Sequence, residues 1–184
     1  MDSDALHPTR RRAMAAIAGS LGAITYGALS FEARAQHNEA PKNPGAIDPL
    51  LRTSLHQRIE LPAPPQRIFE VLMDPKEFAE VTGLPAKIEP TAGGAFTTFG
   101  GLIEGRNVEL VPAQRIVQAW REVFWEPGFY SLVHFELTAQ EKNTTLVLDH
   151  TGFHEGDFGH LDPGWHQRYW EPLRRYLLRP QSPQ

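Results

Sequence analysis

From Ala86 to Thr151 the apolar residues recur at every second position, and each break in the pattern is short. Six runs carry it: Ala86 to Glu89, Ala95 to Phe99, Leu102 to Val111, Arg115 to Phe124, Tyr130 to Ala139 and Thr144 to Thr151. The connections hold Gly100-Gly101, Pro112-Ala113, Pro127-Gly128 and Lys142-Asn143. A parallel crossover needs a dozen residues or more, so links this short predict antiparallel neighbours in a meander. Gly93-Gly94-Ala95-Phe96 lets backbone bend or approach closely at its start. Ile116, Gln118 and Trp120 then share one face by period, which sets a large aromatic on it.

Helical spacing flanks the meander. Ser54 to Leu61 alternates as a first strand, and Pro62 to Pro65 ends it. Pro64 and Pro65 open a helix with Ile68, Phe69, Leu72 and Met73 on its apolar face. Asp74-Pro75 predicts a second short helix, with Phe78 and Val81 inward and Gly83 at its end. Gly152 to Asp162 reads as a loop, and Asp162-Pro163 as the cap of a final helix to about Leu178. Trp165, Tyr169, Leu173, Tyr176 and Leu177 form its apolar face, and Pro172 predicts a kink. A meander of this size with one amphipathic helix is economically satisfied when the sheet curls around the helix. That arrangement tends to leave a cavity on the concave face.

The first 35 residues carry a different signal. Arg10-Arg11-Arg12 precedes an uncharged, weakly apolar run from Ala15 to Leu29, and Ala33-Arg34-Ala35 has the small-x-small pattern of a cleavage site. This resembles a twin-arginine export signal, with Ala13 where a bulky residue is usual. Cleavage is expected after Ala35, and the mature protein in the periplasm or medium. A retained anchor is the alternative, although the run falls short of the ~20 strongly apolar residues a span prefers. Residues 36–52, with Pro41, Pro44 and Pro49, read as a flexible linker, 53–179 as one domain and 180–184 as a tail.

Beyond residue 35 the chain keeps 19 acidic and 14 basic residues, with no basic stripe to neutralise phosphates, so no nucleic-acid partner is expected. With no cysteine anywhere, disulfides, thiol catalysis and thiolate metal sites are excluded.

Several pieces, taken in order, resemble a known family. They are Ile68-Phe69 with the helix that follows, Gly93-Gly94-x-Phe96, Gly105, Glu109-Leu110-Val111-Pro112, Arg115-Ile116-Val117, Trp120-Arg121 and Trp125 with Pro127-Gly128. Thr145-Leu146-x-Leu148, His150-Thr151-Gly152 and Gly164-Trp165 with Tyr169 and Leu173 continue the series. The set is similar to the START-like, birch-pollen-allergen (Bet v 1) fold of the SRPBCC superfamily. Within it, the set resembles the C-terminal domain of the activator of the 90-kDa heat-shock-protein ATPase. The resemblance implies an α+β helix-grip fold, a curled antiparallel sheet around a long C-terminal helix. Pro172 departs from the regular final helix of that family. The fold hosts many functions and fixes none.

The candidate ligand-binding residues are Phe96, Phe99, Trp120, Phe135, His150, Trp165 and Tyr169, each of which could equally be core. His150 follows Leu146 and Leu148 at period two and so points inward, either to a ligand's polar end or to a backbone group. His150, His154, His160 and His166 crowd one segment, but spacings of four, six and six fit no compact ligand motif, so no metal site is expected. Ser54 and Ser131 lack the context of a nucleophile, and Glu70, Glu80 and Glu89 look like solvated carboxylates. No cofactor motif is present. Three readings follow: a binder of a small lipophilic or aromatic molecule, monomeric or a weak homodimer; a protein-interaction domain of the co-chaperone type; and a cavity enzyme. An exposed apolar patch around Trp125, Phe129 and Tyr130 would favour the second, and a buried carboxylate or histidine of shifted pKa in the pocket the third.

Overall fold

The structure, a computed structural model, describes residues 48–180. The export signal and most of the linker expected before residue 48 lie outside the described residues. No described helix is long and apolar enough to cross a membrane.

Seven antiparallel strands form one sheet: β1 (Ser54–Leu61), β2 (Lys87–Ile88), β3 (Ala95–Thr98), β4 (Ile103–Val111), β5 (Arg115–Glu122), β6 (Ser131–Gln140) and β7 (Asn143–Thr151). Their order is β1-β7-β6-β5-β4-β3-β2, so β2 to β7 form the expected meander and β1 adds beside β7. Strict alternation in β1, with Leu55, Gln57, Ile59 and Leu61 inward, commits one face to the core. At Val108 an extra residue interrupts the β4–β5 register, a bulge that bends the sheet. Buried Asn107 holds it, donating to the Glu89 carbonyl at 2.8 Å and accepting from Gln118 at 2.9 Å. Close approach dictates Gly105: a Cβ there would lie 2.0 Å from the Ala119 oxygen and 2.5 Å from the Phe96 ring.

Helices α1 (Pro65–Met73) and α2 (Pro75–Thr82) fall where expected. Asp74 caps α2 by accepting from the amides of Lys76 and Glu77, and Gly83 closes it in the left-handed conformation at φ 73°. Val71 joins Ile68, Leu72 and Met73 in the core, whereas Phe69 is only half-buried.

The C-terminal helix departs from expectation at both ends of its first half. It starts within the supposed loop, as α3 (Phe158–Gly164), with Asp157 at its N-cap. Pro163 therefore lies inside α3. Asp162 does not cap; it accepts from the Gln57 amide through its carboxylate at 2.8 Å and its carbonyl at 2.9 Å. A π-helical stretch, Trp165–Trp170, follows, then α4 (Glu171–Leu177). The Glu171 amide reaches back five residues to the His166 carbonyl. The wider turn absorbs the donor missing at Pro172, which sits in the first turn of α4, where proline is tolerated. The wider turn also brings Trp165, Tyr169 and Trp170 toward the sheet together. Trp170 is buried, and its indole donates to Gln57 Oε1 at 2.6 Å.

Candidate functional site

Trp120 and Glu122 stand two residues apart at the end of β5 and so share a face. Opposite them are Trp165, Arg168 and Tyr169 of the π-helical stretch. Phe99, Leu102 and Ile103 come from the turn between β3 and β4, Phe124 from the loop after β5, and His160, Leu161 and Gly164 from α3. These side chains bound a cavity of about 340 Å3, within the range of small-molecule pockets. Leu102, Phe124 and Arg168 are exposed and mark its mouth. Arg121 shapes that mouth from behind: its guanidinium donates to the carbonyls of Val123 and Trp125, fixing the chain as it leaves β5.

The walls are aromatic and packed in angled pairs. Ring centroids lie 5.0 Å apart for Phe99 and Tyr169, 4.3 Å for Trp165 and Tyr169, and 5.9 Å for Trp120 and Trp165. The Tyr169 hydroxyl faces Thr98 and Trp120, and burial raises its pKa. Thr98 Oγ1 and Trp120 Nε1 are both buried beside it.

The mouth is charged. Glu122 pairs with His160, Oε2 to Nε2, at 3.0 Å, and burial raises the carboxyl pKa against the opposing pull of His160. His160 Nδ1 lies 3.9 Å from Asp157, and Asp157 lies 3.6 Å from His154 Nδ1. His154 Nε2 then meets Glu126 at 3.0 Å and stacks on Phe129 at 3.8 Å. Carboxylate and imidazole thus alternate from the half-buried cavity rim to a solvated glutamate.

Of the seven residues read from the sequence, Phe99, Trp120, Trp165 and Tyr169 meet at this cavity. Phe96 and Phe135 instead flank a void of about 20 Å3 in the core, and Phe96 also borders an open pocket beside β2 and β3. His150 is fully buried away from the cavity lining, between β6 and the helix. The Trp165 indole donates to its Nδ1 at 3.2 Å, so its Nε2 carries the proton and donates to Ser131 Oγ at 2.7 Å. Ser131 in turn donates to the Trp120 carbonyl at 2.9 Å. His150 therefore sets two cavity walls in place without lining the cavity. Of the three residues whose exposure would favour a protein-interaction surface, Trp125 is buried, Phe129 is half-buried and Tyr130 is exposed.

Glu122, Asp157, His160 and Arg168 are the polar residues sequence reasoning missed as a group. Glu122 was legible only as the next inward position after Trp120. His160 stood in the histidine-rich segment, but its partner comes 38 residues earlier.

A family model described as activator of Hsp90 ATPase homolog 1-like protein matches residues 62–178. The human activator of 90 kDa heat shock protein ATPase homolog 1 is 24% identical over 111 residues, covering 60% of this chain and 33% of that protein. The Dictyostelium discoideum homolog is 27% identical over 122 residues, covering 66% and 32%. The chain thus spans about a third of the length of these curated relatives. Among solved structures, an HSP90 activator from Plasmodium falciparum superposes with a TM-score of 0.66 at 24% identity, covering 71% of this chain and all of that one. The Aha1 dimer from Colwellia psychrerythraea gives 0.59 at 18% identity, covering 68% and 96%.

Proposed function

The chain belongs to the family of activator of Hsp90 ATPase homolog 1-like proteins, and from that footing we propose that it is an exported helix-grip protein that binds a small lipophilic or aromatic molecule. The cavity of about 340 Å3 between Trp120 and Trp165 carries this reading. Its walls are aromatic, so affinity comes mainly from apolar burial, at about 25 cal/mol per Å2. Its few polar groups sit together at the mouth, where they orient a ligand's polar end. The arginine run ahead of the uncharged Ala15–Leu29 stretch and Ala33-Arg34-Ala35 support export. The activator function in the relatives' names belongs to proteins about three times the matched length.

Native mass spectrometry of the protein purified from the cell envelope, followed by organic extraction, tests the reading. The expected result is a stoichiometric adduct released by solvent. Adduct-free protein that also fails to bind 1-naphthol, followed by tryptophan fluorescence, would sink it.

A second reading, docking of a protein partner, draws on the relatives' names and on the exposed side chains of Val123, Phe124, Tyr130 and Leu132. A Tyr130→Ser/Leu132→Ser variant lies off the cavity and separates the two. It would lose a partner while keeping 1-naphthol binding.

A further inference from the structure

We infer that Glu122, Asp157 and His160 form a site for a first-row divalent metal ion of the zinc type at the mouth of the cavity. Each residue offers one ligand atom, and the three atoms lie within 4.8 Å of one another. The set is one imidazole and two carboxylates, which suits zinc and its first-row neighbours better than calcium or magnesium, whose sites are built of oxygen. Three protein ligands leave a coordination position free, and two of the three, Glu122 and His160, line the cavity.

Charge supports the assignment. Glu122 and Asp157 expose only 12% and 22% of their side chains. They set two carboxylates side by side at the edge of an apolar cavity, where Arg168, the cation among the described lining residues, is exposed. A dication balances that charge where it arises. Placement is firm as well: Asp157 and His160 stand at the N-terminus of α3 three residues apart, on one helix face, and Glu122 is fixed by the end of β5. On the far side of Asp157, His154 and Glu126 supply the outer partners that hold a ligating carboxylate in orientation.

The site stands whether or not the cavity holds a lipophilic molecule, so its test is separate. The full chain, stripped with chelator, is titrated with zinc chloride by calorimetry and with cobalt(II) by visible absorption. One equivalent of each is expected to bind, with cobalt giving the bands of a low-coordinate nitrogen–oxygen site. His160→Ala and Asp157→Asn, both at partly exposed positions, should weaken binding at least ~10-fold, as should Glu122→Gln, while His154→Ala keeps the stoichiometry. Absence of saturable binding, or unchanged affinity in His160→Ala, would overturn the assignment. So would loss in His154→Ala alone.

Discussion

At His150 both ring nitrogens are taken, one as acceptor from Trp165 and one as donor to Ser131. Burial is the cause that pushes its pKa down to about 3. The sign follows from the two states. Unfolded, the imidazole binds a proton below about pH 6.5; folded, it stays neutral until about pH 3. The stabilisation is therefore complete above about 6.5 and is lost as pH falls toward 3, by up to about 1.4 kcal/mol per pH unit. Urea unfolding of the wild type between pH 7 and 4.5 should show this slope, and a His150→Gln variant, less stable at pH 7, should show a shallower one. Equal slopes would mean that another group controls acid sensitivity. A second residue carries a similar demand. Gln57→Leu would leave the Trp170 indole and Asp162 without their shared partner, and should cost about 1–3 kcal/mol by the same unfolding assay. Period two alone pointed His150 inward, but its partners come from another strand and a helix, and no local pattern announces them.

Elements were legible where local chemistry decides them. Asp74-Pro75 with Gly83 marked both ends of α2, and the short turns placed the strands to within a residue or two. The Gly- and Pro-rich segment before Trp165 misled, because α3 is held by tertiary contacts that override weak propensity: Leu161 enters the core and Gln57 reaches Asp162. The π-helical stretch left no mark beyond Pro172. A proline interrupting a regular α-helix costs about 3 kcal/mol, so Pro172→Ala would then stabilise by a comparable amount. Since Pro172 instead follows a turn bonded five residues back, the substitution should change stability by less than about 1 kcal/mol in thermal unfolding. A gain near 3 kcal/mol would show that the wide turn does not relieve the proline.

At the scale of the molecule, the sequence placed aromatics on the concave face but could not say which of them leave space. Phe96 and Phe135 are packed, whereas Phe99, Trp120, Trp165 and Tyr169 border the cavity. The difference lies in their distant neighbours, and Gly164 shows it best. It is helical, at φ −60° and ψ −42°, so its backbone has no need of glycine. It lines the cavity, and a Cβ built on it meets nothing within 4 Å. Gly164→Leu therefore adds a side chain at the cavity lining, at a position where a Cβ meets no clash. Helix propensity favours the change by about 0.5–1 kcal/mol, and a domain of this size should gain roughly 3 °C in Tm. Binding of 1-naphthol should fall at least ~10-fold, because the apolar area available for burial goes, and Gly164→Ala should fall between. Retained affinity in a folded Gly164→Leu protein would place the ligand elsewhere. Lost affinity with a higher Tm would leave the cavity as the binding site, since a destabilised fold could not produce that pair of results.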